Sequence, residues 1–115
     1  MKKILFACLF LTVVGLTQAQ ANSEFKNETI EFLKMTGAGT AFENAITQIG
    51  VMVPETNRAA YIKEAQDTLG GLYDKLADLY MGEFTQDEVK ELMAFYKTDL
   101  GKKLAEKQLG LTQKA

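Results

Sequence analysis

The 115-residue chain has no histidine, no tryptophan, one proline and one cysteine. The cysteine, Cys8, falls in an apolar N-terminal run, so from Asn22 onward the chain contains none. That excludes a disulfide, a thiolate nucleophile and a cysteine metal site from everything beyond that run. The missing histidine removes the commonest acid–base residue and the commonest catalytic zinc ligand. Ser23 is the only serine beyond the run, and the P-loop, dinucleotide-binding and zinc-protease motifs are all absent. No alternating β-branched run occurs, and nothing predicts a sheet.

The N-terminus is organised differently from the rest. Lys2 and Lys3 precede an apolar stretch from Ile4 to Leu16, broken only by Thr12 and Gly15. Thr17-Gln18-Ala19-Gln20-Ala21 then offers small residues at the spacing of a cleavage site, after Ala21 or after Ala19. This is the layout of a Sec-type secretory signal peptide. A spanning helix wants about 20 apolar residues, more than this run supplies. Cys8 opens the apolar run instead of closing it, so it reads as a small hydrophobe and not as a lipidation site. The expected organisation is a signal peptide over residues 1–21 and one helical domain over 22–115, exported to the periplasm or secreted. Without Lys2 and Lys3 the domain has 11 basic and 15 acidic residues, a net charge of −4. That balance argues against nucleic acid and against an anionic membrane surface.

From residue 23 onward the apolar spacing is helical. Phe25, Thr29, Phe32, Leu33 and Thr36 mark a first helix, with Ser23 placed to cap it and Gly37 to end it. Thr40 and Glu43 form a capping-box pattern for a second helix, whose face carries Phe42, Ala45, Ile46, Ile49 and Met52 or Val53. Pro54 stops it and disfavours helix at Val53. Ala59, Ile62, Ala65, Leu69, Leu72, Leu76 and Leu79 trace one stripe on a third helix, over 56–81, that Gly82 ends. The stripe passes through Gly70-Gly71 in phase, and the glycine pair suggests a kink or a close helix crossing. Thr85 and Glu88 form a second capping box, and Phe84 and Val89 stand at the positions of a hydrophobic staple. Val89, Leu92, Met93 and Tyr96 continue that helix. Thr98-Asp99 opens a final, lysine-rich one with Leu100, Leu104 and Leu111. The expected fold is all-α, a small bundle of four to five helices.

The stretch Tyr80, Phe84-Thr85, Glu88, Leu92, Phe95-Tyr96-Lys97, Gly101, Lys103-Leu104 resembles the C-terminal signature of the DUF2059 family. Thr36-Gly37-Ala38 after a helix is similar to that family's N-terminal half. The resemblance implies an exported, helical bacterial protein of unknown function, with no established catalytic residues to carry over. Two positions depart from the pattern. Asp99 stands where the family usually has proline, and Leu109-Gly110 where it often has proline.

Chemistry would have to rest on carboxylates. Asp74 with Asp78, Asp87 with Glu91, and Glu24 with Glu28 and Glu31 share helix faces, yet a hard cation needs six or more oxygens, usually from a loop. These carboxylates, flanked by Lys75 and Lys90, read as solvated faces. No catalytic, cofactor or metal residue is assigned. Phe95-Tyr96 is the most informative pair, because neighbours on a helix point about 100° apart. Tyr96 is expected in the core and Phe95 at its margin. Phe95 with Tyr73 or Tyr80 is the candidate partner surface. The chain is therefore read as a protein-interaction module, binding another protein or itself through an apolar, aromatic helix face. The alternatives are a carrier for a lipid-like or other hydrophobic ligand between helices, and an enzyme using carboxylates alone.

Overall fold

The computed structural model describes the backbone of residues 2–115 and the side chains of residues 18–115. The described residues form five helices and no strand: α1 (Lys2–Met35), α2 (Thr40–Met52), α3 (Glu55–Glu83), α4 (Gln86–Lys97) and α5 (Asp99–Lys114). Most of the expected signal segment, with Cys8 and the apolar run, lies outside the described side chains.

The helix boundaries follow from local chemistry. α1 stops because Gly37 takes a φ of 75°, the left-handed conformation open to glycine. The Thr36 and Gly37 amides then close onto Phe32 and Lys34 carbonyls. Ser23 does not cap a helix, since α1 already runs through it. The Thr40–Glu43 capping box does not form either. Gly39 is the N-cap of α2, with no side-chain cap, and the Glu43 amide donates to the Gly39 carbonyl. The helix begins one residue earlier than the pattern suggests, so Thr40 is at its first turn, past the capping position.

Val53 is extended and Pro54 opens α3, as the proline rule requires. α3 is continuous for 29 residues, about 44 Å at 1.5 Å per residue. It runs past Gly82 to Glu83. The glycine pair neither interrupts it nor admits another helix: a Cβ built at Gly70 or Gly71 meets nothing within 4 Å.

α4 begins as expected. Thr85 Oγ1 accepts the Glu88 amide at 3.2 Å, and Glu88 Oε1 accepts the Thr85 amide at 2.9 Å. Thr98 ends α4 and caps α5 by accepting the Gly101 amide at 3.1 Å. Asp99 replaces the expected proline at the first helical position, where its charge complements the helix dipole. α5 passes through Gly110 without a break.

α1 packs against α3 and α4, α2 against α3, and α5 against α4. The shortest dimension is 20 Å, about two helix diameters, so the helices form two layers. The core lies where α1, the second half of α3 and α4 meet: Phe32, Leu33, Tyr73, Ala77, Val89 and Met93. Thr29 is fully buried beside them and returns its hydroxyl to the Phe25 carbonyl at 2.8 Å. On α3 the core face runs Leu69, Tyr73, Leu76, Ala77, Tyr80. It is rotated roughly a quarter turn from Leu72 and Leu79 at 3.6 residues per turn. The leucine stripe read from sequence is thus partly displaced. Leu72 is half-buried and Leu79 is 68 % exposed.

Candidate functional site

The aromatic residues form a connected line around Phe32 of α1. Tyr80 and Tyr96 meet its ring edge-on, with centroids at 5.8 and 5.9 Å. Phe84 stacks on Tyr80 at 5.7 Å, and Phe95 meets Tyr96 edge-on at 5.3 Å. Each such pair adds about 0.5–1.5 kcal/mol beyond its buried area. Tyr80 and Phe95 therefore belong to one cluster, with Phe95 at its exposed margin and Tyr96 half-buried, as expected. A depression of about 400 Å³ beside Phe32, Tyr80 and Tyr96 is closed on its far side by Gln108, Leu109 and Thr112 of α5.

Tyr73 is not part of an exposed surface, which corrects the sequence expectation. It is 5 % exposed, because it follows Leu69 by one turn and precedes Ala77 by one turn on the face that α1 covers. Its hydroxyl fills the space beside Gly39, where any side chain would collide with the ring. Lys34 lies 5.6 Å above the ring centroid. Burial, and secondarily the charge of Glu43, push the Tyr73 phenol above its ordinary value of 10.0. Tyr73 thus clamps the turn between α1 and α2 onto α3.

Two of the carboxylates, Glu28 and Asp78, hold helices together. Glu28 accepts from Gln86 Nε2 at 2.8 Å and sits 3.7 Å from Lys90, joining α1 to α4. Asp78 pairs with Lys26 at 3.1 Å, joining α3 to α1. Glu88 is used in its cap.

The most apolar opening lies elsewhere, between α2 and α3. It is a groove of about 520 Å³, walled by Phe42, Ile46, Ile49, Tyr61, Leu69 and Leu72, with Lys75 at its edge. α2 packs chiefly along α3, so its apolar side chains are covered on one flank and largely open on the other. Phe42 and Ile49 are about half exposed, Val51 is 71 % and Met52 84 % exposed. The hairpin is fixed at its bend by Arg58, which the sequence reading passed over. Its Nε donates to the Gly50 carbonyl at 2.9 Å and its Nη2 to the Val53 carbonyl at 3.2 Å. The Gly50 carbonyl also accepts the Val53 amide at 3.3 Å, so Arg58 adds to the backbone closure at the end of α2. The sequence did mark Phe42, Ile46 and Ile49 as one apolar face. The signal for its exposure was the unbroken run Val51-Met52-Val53, which overflows any single helix face.

Residues 72–115 match the family model DUF2059, described as an uncharacterized protein conserved in bacteria. The resemblance read from Tyr80 to Lys107 is thereby shown, and it extends to the second half of α3 and all of α4 and α5. α2 and the first half of α3, with most of the groove, precede the matched residues. No curated protein and no solved structure matches the chain.

Proposed function

We propose, for a chain whose residues 72–115 match DUF2059, that it works as a protein-interaction module whose docking face is the open side of the α2–α3 hairpin. The observation behind this reading is the half-exposure of Phe42 and Ile49 on the wall of an apolar groove, with Met52 exposed at the end of the same helix. Contiguous apolar surface of this kind marks interaction sites on soluble proteins. A straight groove between two helices fits an amphipathic helix of a partner, or the same hairpin of a second copy. The proposal moves the partner surface from the aromatic cluster to α2 and assigns no catalytic residue. It includes export by the N-terminal signal, with cleavage after Ala21 or Ala19, a point that N-terminal sequencing of the cell-envelope protein decides.

Native mass spectrometry of the protein recovered from its own compartment tests the reading. A dimer, or added protein mass, supports it, provided that Phe42→Glu with Ile49→Glu weakens the complex by at least about tenfold, as expected for residues central to an interface. A complex indifferent to both substitutions would refute the assignment of the face. The second reading, a carrier of a hydrophobic ligand, is favoured by the groove's volume, which lies in the range of small-molecule sites. Its signature is a monomer retaining a small apolar mass.

A further inference from the structure

α5 presents two faces of different character. Gly101, Ala105 and Leu109 turn inward: Gly101 is buried, Ala105 and Leu109 are half-buried, and the Ala105 carbonyl lies against the α1–α2 turn at Gly37. Leu100, Leu104 and Leu111 turn outward, exposed by 67 %, 40 % and 63 %. At 3.6 residues per turn these three leucines fall within about 40° of arc. Lys103, Lys107 and Lys114 occupy roughly the next 40°. Asp99 and Glu106 lie farther round, on the side of the lysines away from the leucines. No lysine of α5 has an ion-pair partner within 4 Å among the described residues; the pairs there use Lys26, Lys63 and Lys90.

A narrow leucine stripe edged by unpaired lysines is the arrangement of a helix lying in a membrane interface. Leucines enter the acyl boundary while lysine stems run along the apolar surface and lift their ammonium groups to the headgroups. The net charge of the domain argues against an anionic surface, but the charge that matters is the charge on the contacting face. There the lysines stand beside the leucines and the carboxylates do not. We infer that α5 is a peripheral membrane-binding element that docks its Leu100–Leu104–Leu111 stripe on an anionic phospholipid surface. No helix among the described residues is long and apolar enough to cross a membrane, so the contact is one of lying on the surface. α5 can make it without leaving α4, because the inward residues are centred about 120° round the helix from the stripe.

The absence of tryptophan gives a local test. Leu111→Trp puts a single indole on the stripe, remote from the apolar N-terminal run that could itself adsorb to lipid. Its emission is expected to shift to the blue with vesicles of phosphatidylglycerol and phosphatidylcholine, and to stay unshifted with phosphatidylcholine alone. Adding Lys103→Gln, Lys107→Gln and Lys114→Gln should raise the lipid concentration for half the shift by at least about tenfold. Circular dichroism of each variant confirms that the helices are intact. No shift, an equal shift on neutral vesicles, or indifference to the lysine substitutions would overturn the inference. So would a blue shift driven by protein concentration without lipid, which would mean that a second copy covers the stripe.

Discussion

At the scale of single residues, close contact decides more than hydrophobicity. Gly101 is required because α4 and α5 meet at one residue, Thr98. A Cβ at position 101 would collide with the Phe95 carbonyl and stand 2.6 Å from Tyr96 Cα. Both are backbone atoms that cannot swing aside. Gly101→Ala is expected to cost at least about 1–3 kcal/mol, read as a lower urea midpoint. The spacing from Phe95-Tyr96 to Gly101 in the signature therefore has a steric origin. Tyr73 gives a pH-dependent prediction. Its phenol is raised in the folded state, so its contribution to stability is complete below about pH 10 and is lost as pH rises through the folded value. Urea unfolding of the wild type should weaken as pH rises above about 10 by more than that of Tyr73→Phe, which has no phenol to ionise. An equal loss in both would show that Tyr73 carries no such linkage.

Among the elements, α3 and α4 show opposite relations to their sequence. α4 is specified locally: its capping box, acidic first turn and Lys97 in the last turn all agree with the structure. Thr85→Ala should destabilise by about 1 kcal/mol through loss of the cap. α3 is continuous in spite of its glycines, held by α2 along one half and by α1 along the other. Since nothing lies within 4 Å of a Cβ at either glycine, Gly70→Ala should stabilise the fold by up to about 1 kcal/mol, seen as a higher melting temperature. Arg58 ties α2 to α3 through two carbonyls. Arg58→Ala is expected to loosen that hairpin, with faster amide hydrogen exchange in α2 and little change in α4.

In the whole molecule, the core is small and sits at one end. Among the described side chains, six buried hydrophobic residues join α1, α3 and α4, while the α2–α3 hairpin and the outer face of α5 keep apolar side chains in solvent. A fold that places Met52 and Val51 outside is not using them for its own stability. Val51→Glu with Met52→Glu should therefore leave the unfolding free energy of the monomer within about 0.5 kcal/mol, as for surface positions in general. A large loss in the isolated monomer would return α2 to the core and weaken the docking reading.

The sequence by itself determined what depends on neighbours a turn apart. The all-α class, the stops at Gly37 and Pro54, the caps at Thr85 and Thr98 and the DUF2059 resemblance over α4 and α5 were all legible. Each rests on backbone conformation or on contacts within four residues. The tertiary structure decided which side of each helix faces inward. Tyr73 and Ala77, not Leu72 and Leu79, face the core because α1 crosses α3 on that side and a small residue lets the helices approach. Phe42 and Ile49, which share the apolar face that the spacing marks, remain half open because α2 packs chiefly along α3. Periodicity gives a helix its apolar face, but the direction of that face, and whether anything covers it, is fixed only by the packing of helices distant in the chain.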